Sequence, residues 1–218
     1  FPIRDHNPSG RIPYVTYALI AANVAIFLFS WPLEGEPARL AAFYSDYAMF
    51  PNRVSAGQDI QGLFTSMFLH GGFMHLAGNM LFLWIFGDNI EDHIACRSNS
   101  MLLGRLSYLG FYLVCGITAS TVWLLTAVDS AQPAVGASGA IAGVLGAYFV
   151  FYPKRRIRTL VGLGFFVRII NVRAYTMIGL WFVYQFLMAL SPWDTGVAFW
   201  AHVGGFVMGV HMATLIRP

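Results

Sequence analysis

Charge is what this chain has least of: of its 218 residues only 11% are Asp, Glu, Lys or Arg, whereas 57% are hydrophobic. A soluble domain carries about 25% charged residues, because charge keeps a folded surface wet. Here there is too little polar material to cover a globule in water, and the mean hydropathy is +0.62. These values argue against an ordinary soluble enzyme and a disordered chain. Cysteine is nearly as scarce, with Cys96 in a polar stretch and Cys115 in an apolar block. Two such separated thiols support neither a disulfide framework nor a cysteine metal site. The net charge of +3 is small and no basic stripe is interleaved with aromatics, so no nucleic-acid partner is expected. The sequence does not open with a charged region, a short apolar core and a cleavage site, so the first apolar block is expected to be a retained span.

What is abundant is the long apolar block. Crossing a hydrocarbon core of about 30 Å takes about 20 residues of helix, and six blocks near that length occur, at residues 12–31, 73–87, 106–128, 138–152, 174–190 and 197–216. The expected fold is an all-α polytopic membrane protein, a single six-helix membrane domain over residues 1–218. The N-terminus (Arg4, Arg11), second loop (Arg97, Arg105), fourth loop (Lys154, Arg155, Arg156, Arg158, Arg168, Arg173) and C-terminus (Arg217) hold eleven of the thirteen basic residues. The first loop holds Arg39 and Arg53. Basic residues are retained on the cytoplasmic side, so both termini are expected there, and an even number of spans follows. The first loop, residues 32–72, contains aromatic stretches at 43–50 and 63–69 that are too short to cross and are expected to lie in the interface. The apolar stretch at 160–166 in the fourth loop is also too short to span.

Polar side chains inside apolar spans are expensive, so function is sought there first. His75 and Asn79 lie near the start of the second block, Ser138 opens the fourth and His202 lies near the start of the sixth. Blocks two, four and six all run from outside to inside under the charge-derived topology, which sets these four residues at similar depth toward the extracytoplasmic face. From Ser138 to the end of its block is about 22 Å of helix at 1.5 Å per residue, short of the bilayer core, so Ser138 is expected in a depression below the outer surface. Gly139 and Gly143 in the fourth block, and Gly205 and Gly209 in the sixth, are spaced for close helix approach. Packing on these faces could bring Ser138 within hydrogen-bond reach of His202. A serine hydroxyl becomes a nucleophile when a neighbouring imidazole takes its proton. His75 and Asn79, one turn apart, with the Ser138 backbone N–H, could stabilise an oxyanion. No acidic residue lies in the outer halves of these three blocks, so a dyad is expected rather than a triad.

Other chemistries use the same residues. His70, His75 and His202 could bind zinc, but no His-Glu-x-x-His spacing or helical carboxylate ligand accompanies them. Polar groups in a bundle can also line a solute path, which usually reaches the midplane and often shows repeated halves. No convincing repeat is present, and the inner halves of blocks two, four and six are nearly free of ionisable groups. A non-proteolytic binder of membrane proteins would use the same scaffold.

The segments His70-Gly71-Gly72-Phe73-Met74-His75-Leu76-Ala77-Gly78-Asn79, Gly136-Ala137-Ser138-Gly139, and Ala201-His202-Val203-Gly204-Gly205 with Gly209 resemble, in order, spacing and placement, the rhomboid intramembrane serine proteases. The resemblance runs from about the first span to the C-terminus. It implies a six-helix rhomboid-like bundle that cleaves membrane-anchored proteins near the outer end of a transmembrane segment, without metal, ATP or other cofactor. By position Ser138 matches the nucleophile, His202 the base, and His75 and Asn79 the oxyanion-side residues. The fifth helix and the loop after it form a lateral gate and cap in the family, which corresponds here to Trp181, Phe182, Gln185 and residues 191–199. Some relatives stack a tyrosine, four residues after the serine, on the histidine; this chain has Ala142 there, so another aromatic is expected to take that place. The stretch at 94–103 is longer than the usual link to the third helix and is expected to matter little to the chemistry. A bacterial inner membrane is the expected location, with the active site opening to the extracytoplasmic side.

Overall fold

The computed structural model describes residues 1–7, 9–163, 166–193 and 195–216. Arg217 of the basic count, Asp194 of the cap loop, and Gly164 and Phe165 of the fourth-loop apolar stretch lie outside the described residues. The chain opens with strand β1 (Pro2–Asp5) and helix α1 (Tyr14–Ser30). Five short helical pieces make up the first loop: a 3-10 turn (Trp31–Gly35) that extends α1, α2 (Pro37–Tyr47), α3 (Pro51–Ser55), α4 (Gly62–Thr65) and a second 3-10 turn (Ser66–Phe68). Then come α5 (Phe73–Ala95), α6 (Met101–Thr126), α7 (Ser138–Phe151), strands β2 (Arg156–Leu163) and β3 (Phe166–Arg173), α8 (Ala174–Ala189) and α9 (Phe199–Ile216).

Among the described residues, three single helices can cross a bilayer by length and apolar composition: α1 with its 3-10 extension, α6 and α9. The segment Gly62–Phe68 and α5, bent by 91°, qualify together as a fourth. The helices α7 and α8 are apolar but shorter, at 14 and 16 residues.

The pattern of burial says which faces meet protein. On α1 the buried positions are Thr16, Leu19, Asn23 and Phe27, a stripe at helical spacing, while Leu28 and Phe29 are 64% and 74% exposed. A helix apolar all round that exposes leucine and phenylalanine suits a surrounding of lipid rather than water. On α6 the buried residues recur every three or four positions from Gly104 to Ala119. By contrast, α7 is buried at every position from Gly139 to Tyr148 and forms the centre of the bundle. Its glycines and alanines allow this, because a helix without large side chains can be enclosed at short interaxial distance. A Cβ placed on Gly205 would collide with the backbone carbonyl of Gly139, and one on Gly209 with that of Gly143. On the opposite side a Cβ on Gly139 would lie 2.5 Å from the Ala119 methyl of α6.

The all-α expectation is corrected at the end of the bundle remote from Ser138. The fourth loop, with its apolar stretch at 160–166, folds as an antiparallel hairpin of β2 and β3, with Arg156 opposite Arg173 and Leu163 opposite Phe166. Strand β1 adds to the free edge of β2 and gives the order β1-β2-β3. Runs of β-branched residues (Ile157, Thr159 and Val161 against Val167, Ile169, Ile170 and Val172) favour extended backbone. Of these, Ile157 and Thr159 are buried against the bundle. The sheet is fastened by Asp5, whose carboxylate accepts hydrogen bonds from the Tyr148 hydroxyl of α7 at 2.9 Å and the Asn89 amide of α5 at 2.8 Å. Burial pushes the Asp5 carboxyl above its ordinary range, and these hydrogen bonds act against that rise. Nearby, Glu91 of α5 accepts the backbone N–H groups of Val15 and Thr16 at 3.0 and 2.8 Å, capping the start of α1.

Candidate active site

Ser138 begins α7 directly after a loop that must pass very close to α5. Gly136 in that loop has φ +129°, a conformation that side chains rarely adopt. A Cβ at this position would also lie 2.8 Å from the His75 imidazole, so both backbone and space call for glycine. The loop is pinned by the Gly136 N–H donating to the Ser66 carbonyl at 2.9 Å, and by paired backbone hydrogen bonds between Met49 and Ala134. First-loop residues thus hold the serine's approach in place.

The Ser138 hydroxyl lies 2.8 Å from Nε2 of His202 on α9. The glycine contacts between α7 and α9 make this distance possible, since any larger side chain at Gly205 would push the helices apart. The other ring nitrogen, Nδ1, lies 2.7 Å from Oε1 of Gln185 on α8. Trp181 of α8 has its ring centroid 6.2 Å from that of His202, tilted by 33°, and Phe199 stands edge-on at 6.3 Å. These two aromatics flank the imidazole, whereas Ala142, four residues after Ser138, offers it no ring.

On the other side of Ser138, His75 and Asn79 project from the first turns of α5. Asn79 is buried, and its Nδ2 donates to Nε2 of His70 at 2.9 Å. The His70 and His75 rings meet edge to face with centroids 5.1 Å apart. A cavity of about 440 Å³ joins these groups; Ser66, His75, Asn79, Ser138, Trp181 and His202 are among its lining residues. That is room for on the order of ten waters. The Ser138 amide is in the first turn of α7, where N–H groups have no partner within the helix.

The structure therefore brings Ser138, His202, His75 and Asn79 around one cavity, and Trp181 with them. Phe182 points elsewhere on α8, stacking on Phe206 of α9 with centroids 4.3 Å apart. Gln185 is only 5% exposed and faces His202 rather than the surroundings. Sequence reasoning did not find the His70 bond to Asn79, the Gln185 bond to His202, or the positive φ at Gly136. The signal for Gln185 was available, since it is the sole amide side chain in residues 174–190. Among the described residues no group of three or more His, Cys, Asp or Glu side chains gathers as a metal-binding cluster.

A hydroxyl donating to a neutral imidazole nitrogen is the arrangement from which a serine oxygen can be made nucleophilic. Among known families, the Rhomboid domain matches residues 57–218 of this chain. The chain belongs to the rhomboid family. The Rhomboid protease GluP of Bacillus subtilis is 30% identical over 204 residues, covering 94% of this chain and 35% of the relative. Rhomboid protein 1, mitochondrial, of Saccharomyces cerevisiae is 31% identical over 148 residues, covering 66% of this chain and 38% of the relative. The human Presenilin-associated rhomboid-like protein, mitochondrial, is 27% identical over 141 residues, 64% of this chain and 33% of the relative. This rhomboid chain spans between about a third and two-fifths of the length of these three relatives. Its serine, histidine and glycine segments all fall inside the matched rhomboid region, as do His75 and Asn79.

Proposed function

We propose that this chain is an intramembrane serine endopeptidase in which Ser138 and His202 form the dyad. The observation that carries the proposal is the 2.8 Å contact between Ser138 Oγ and His202 Nε2 at the edge of a cavity large enough for water, inside a mainly apolar helical bundle. Ser138 Oγ attacks the peptide carbonyl carbon as its proton passes to His202 Nε2. The oxyanion that forms is stabilised by the Ser138 N–H with His75 and Asn79. His202 then returns the proton to the leaving amine, and a water from the cavity, deprotonated by the same imidazole, hydrolyses the acyl-enzyme. No metal, ATP or other cofactor enters this scheme.

The partner is the bilayer and, within it, a protein substrate with a transmembrane segment cut within or near its outer end. The six apolar helices α1, α5, α6, α7, α8 and α9 sit in the membrane as a single domain over residues 1–218, with Trp181 and Phe182 of α8 at the lateral entrance; α7 and α8, at 14 and 16 residues, are shorter than a full span. The basic residues put both termini on the cytoplasmic side, with the active site opening to the opposite face. This charge rule assigns a side and not an organelle; the relatives include bacterial and mitochondrial proteins. The test is cleavage of a model transmembrane substrate by the purified chain in liposomes. Wild type is expected to cut it and Ser138→Ala to lose at least about 10³-fold in rate. Undiminished cleavage by Ser138→Ala would end the proposal.

A further inference from the structure

Helix α8 buries little of itself: Ala174, Ile178 and Gln185 are its buried residues, while Leu180, Val183 and Leu187 are exposed. Its start is tied down, with the Ala174 N–H donating to the Arg155 carbonyl at 2.8 Å and the Tyr175 N–H to Pro153 at 3.0 Å. Gln185 stands three turns further along, one turn beyond Trp181, in the half of the helix that reaches the cavity. An amide buried in an apolar helix needs a partner. The one at its Oε1 is His202 Nδ1, 2.7 Å away.

The chemistry of imidazole gives this contact a consequence. A neutral ring carries one proton, shared between two nitrogens. An oxygen acceptor at Nδ1 holds the proton there, which leaves the Nε2 lone pair directed at the Ser138 hydroxyl 2.8 Å away. The opposite tautomer would set two lone pairs against each other at Gln185 unless the amide turned over, and it would present an N–H to Ser138, which cannot then give up its proton to that nitrogen. Because Gln185 and His202 are on different helices, the bond lasts only while α8 lies against α9 at this depth.

Resting on the dyad reading above, we propose that Gln185 is a positioning residue that holds His202 in its Nδ1–H tautomer, so that the competence of the dyad depends on where α8 stands. Substrate entering beside Trp181 and Phe182 would then displace the same helix that orients the base.

The experiment uses full-length wild type, Gln185→Met and Gln185→Glu in detergent micelles with 15N-labelled histidine. The His202 signals are assigned by their loss in His202→Ala. Methionine keeps the length of glutamine without an acceptor oxygen; a carboxyl keeps an acceptor whether ionised or protonated. The readouts are the His202 ring 15N shifts, the rate at which a fluorophosphonate labels Ser138, and kcat and KM for a transmembrane substrate. Wild type and Gln185→Glu are expected to show the Nδ1–H tautomer. Gln185→Met is expected to show a mixture, with labelling rate and kcat reduced roughly 10- to 100-fold, and KM within about twofold of wild type. A merely structural role would make both variants lose activity in step with their melting temperatures and leave the tautomer unchanged. That outcome, or a wild-type labelling rate in Gln185→Met, would overturn the inference while leaving the dyad standing. Absence of label on Ser138 in wild type would overturn the dyad and this inference with it.

Discussion

Gly205 of α9 lies so close to the backbone carbonyl of Gly139 in α7 that no Cβ fits between them. Three residues before Gly205 on α9 is His202, and one before Gly139 on α7 is Ser138. A tight approach of the two helices therefore lies within one turn of the hydroxyl–imidazole contact, and Gly209 against the Gly143 carbonyl makes a second one a turn further along.

Gly205→Ala is expected to force the helices apart, destabilising the bundle by about 1–3 kcal/mol as overpacking does, and to reduce cleavage more than substrate binding. Gly110→Ala on α6 is the control, because a Cβ there meets no atom within 4 Å and the residue is not among those lining the cavity. Thermal unfolding in micelles and steady-state kinetics of the two variants check this. Equal behaviour of the two alanines would show that the α7–α9 spacing does not set the dyad distance.

The bond from Asn79 to His70 makes a second expectation. If the Asn79 amide stabilises the oxyanion, His70→Leu leaves that amide without its orienting partner and should lower kcat about tenfold with KM little changed. Asn79→Ala should cost about 10²- to 10³-fold, as losing an oxyanion donor does. Because both changes act through one amide, the double variant should be no worse than Asn79→Ala alone. Independent, additive losses in kcat would mean that His70 acts by another route.

Much of the site was legible in the sequence because its determinants are local to helices. His75 and Asn79 are one turn apart on α5, and the small-residue spacing after Ser138 and His202 marks the two faces that pack. Gln185 could be noticed in the sequence, but its direction depends on how α8 is rotated about its axis, which tertiary packing decides. The sheet was hidden for a different reason. Arg156, Ile157, Arg158 and Thr159 alternate, but the adjacent exposed apolar residues Leu160 and Val161 cut the alternation to four residues, too short to mark a half-buried strand. Strand β1 finds its partner more than 150 residues away in sequence, with Pro2 opposite Thr159, a pairing that no local pattern announces.

That sheet has its own test through Asp5. Burial raises the carboxyl's pKa in the folded protein, so ionisation is harder folded than unfolded. Its contribution to stability is then greatest at acid pH and is lost as pH rises from the unfolded pKa through the raised folded one. Asp5→Asn keeps an acceptor oxygen for Tyr148 and Asn89 but cannot ionise. The melting temperature of the variant minus that of wild type is expected to grow from about pH 4 to about pH 7. A difference that shrinks over this range would mean that the ionised carboxylate is what fastens the sheet.

The central claim, that Ser138 is a nucleophile activated by His202, is tested most directly by mapping a fluorophosphonate adduct on the folded protein in micelles. The expected result is a stoichiometric adduct on the peptide containing Ser138 in wild type, slowed at least about 10³-fold in His202→Ala. Label appearing on another residue, or reaching Ser138 equally fast without His202, would contradict the account.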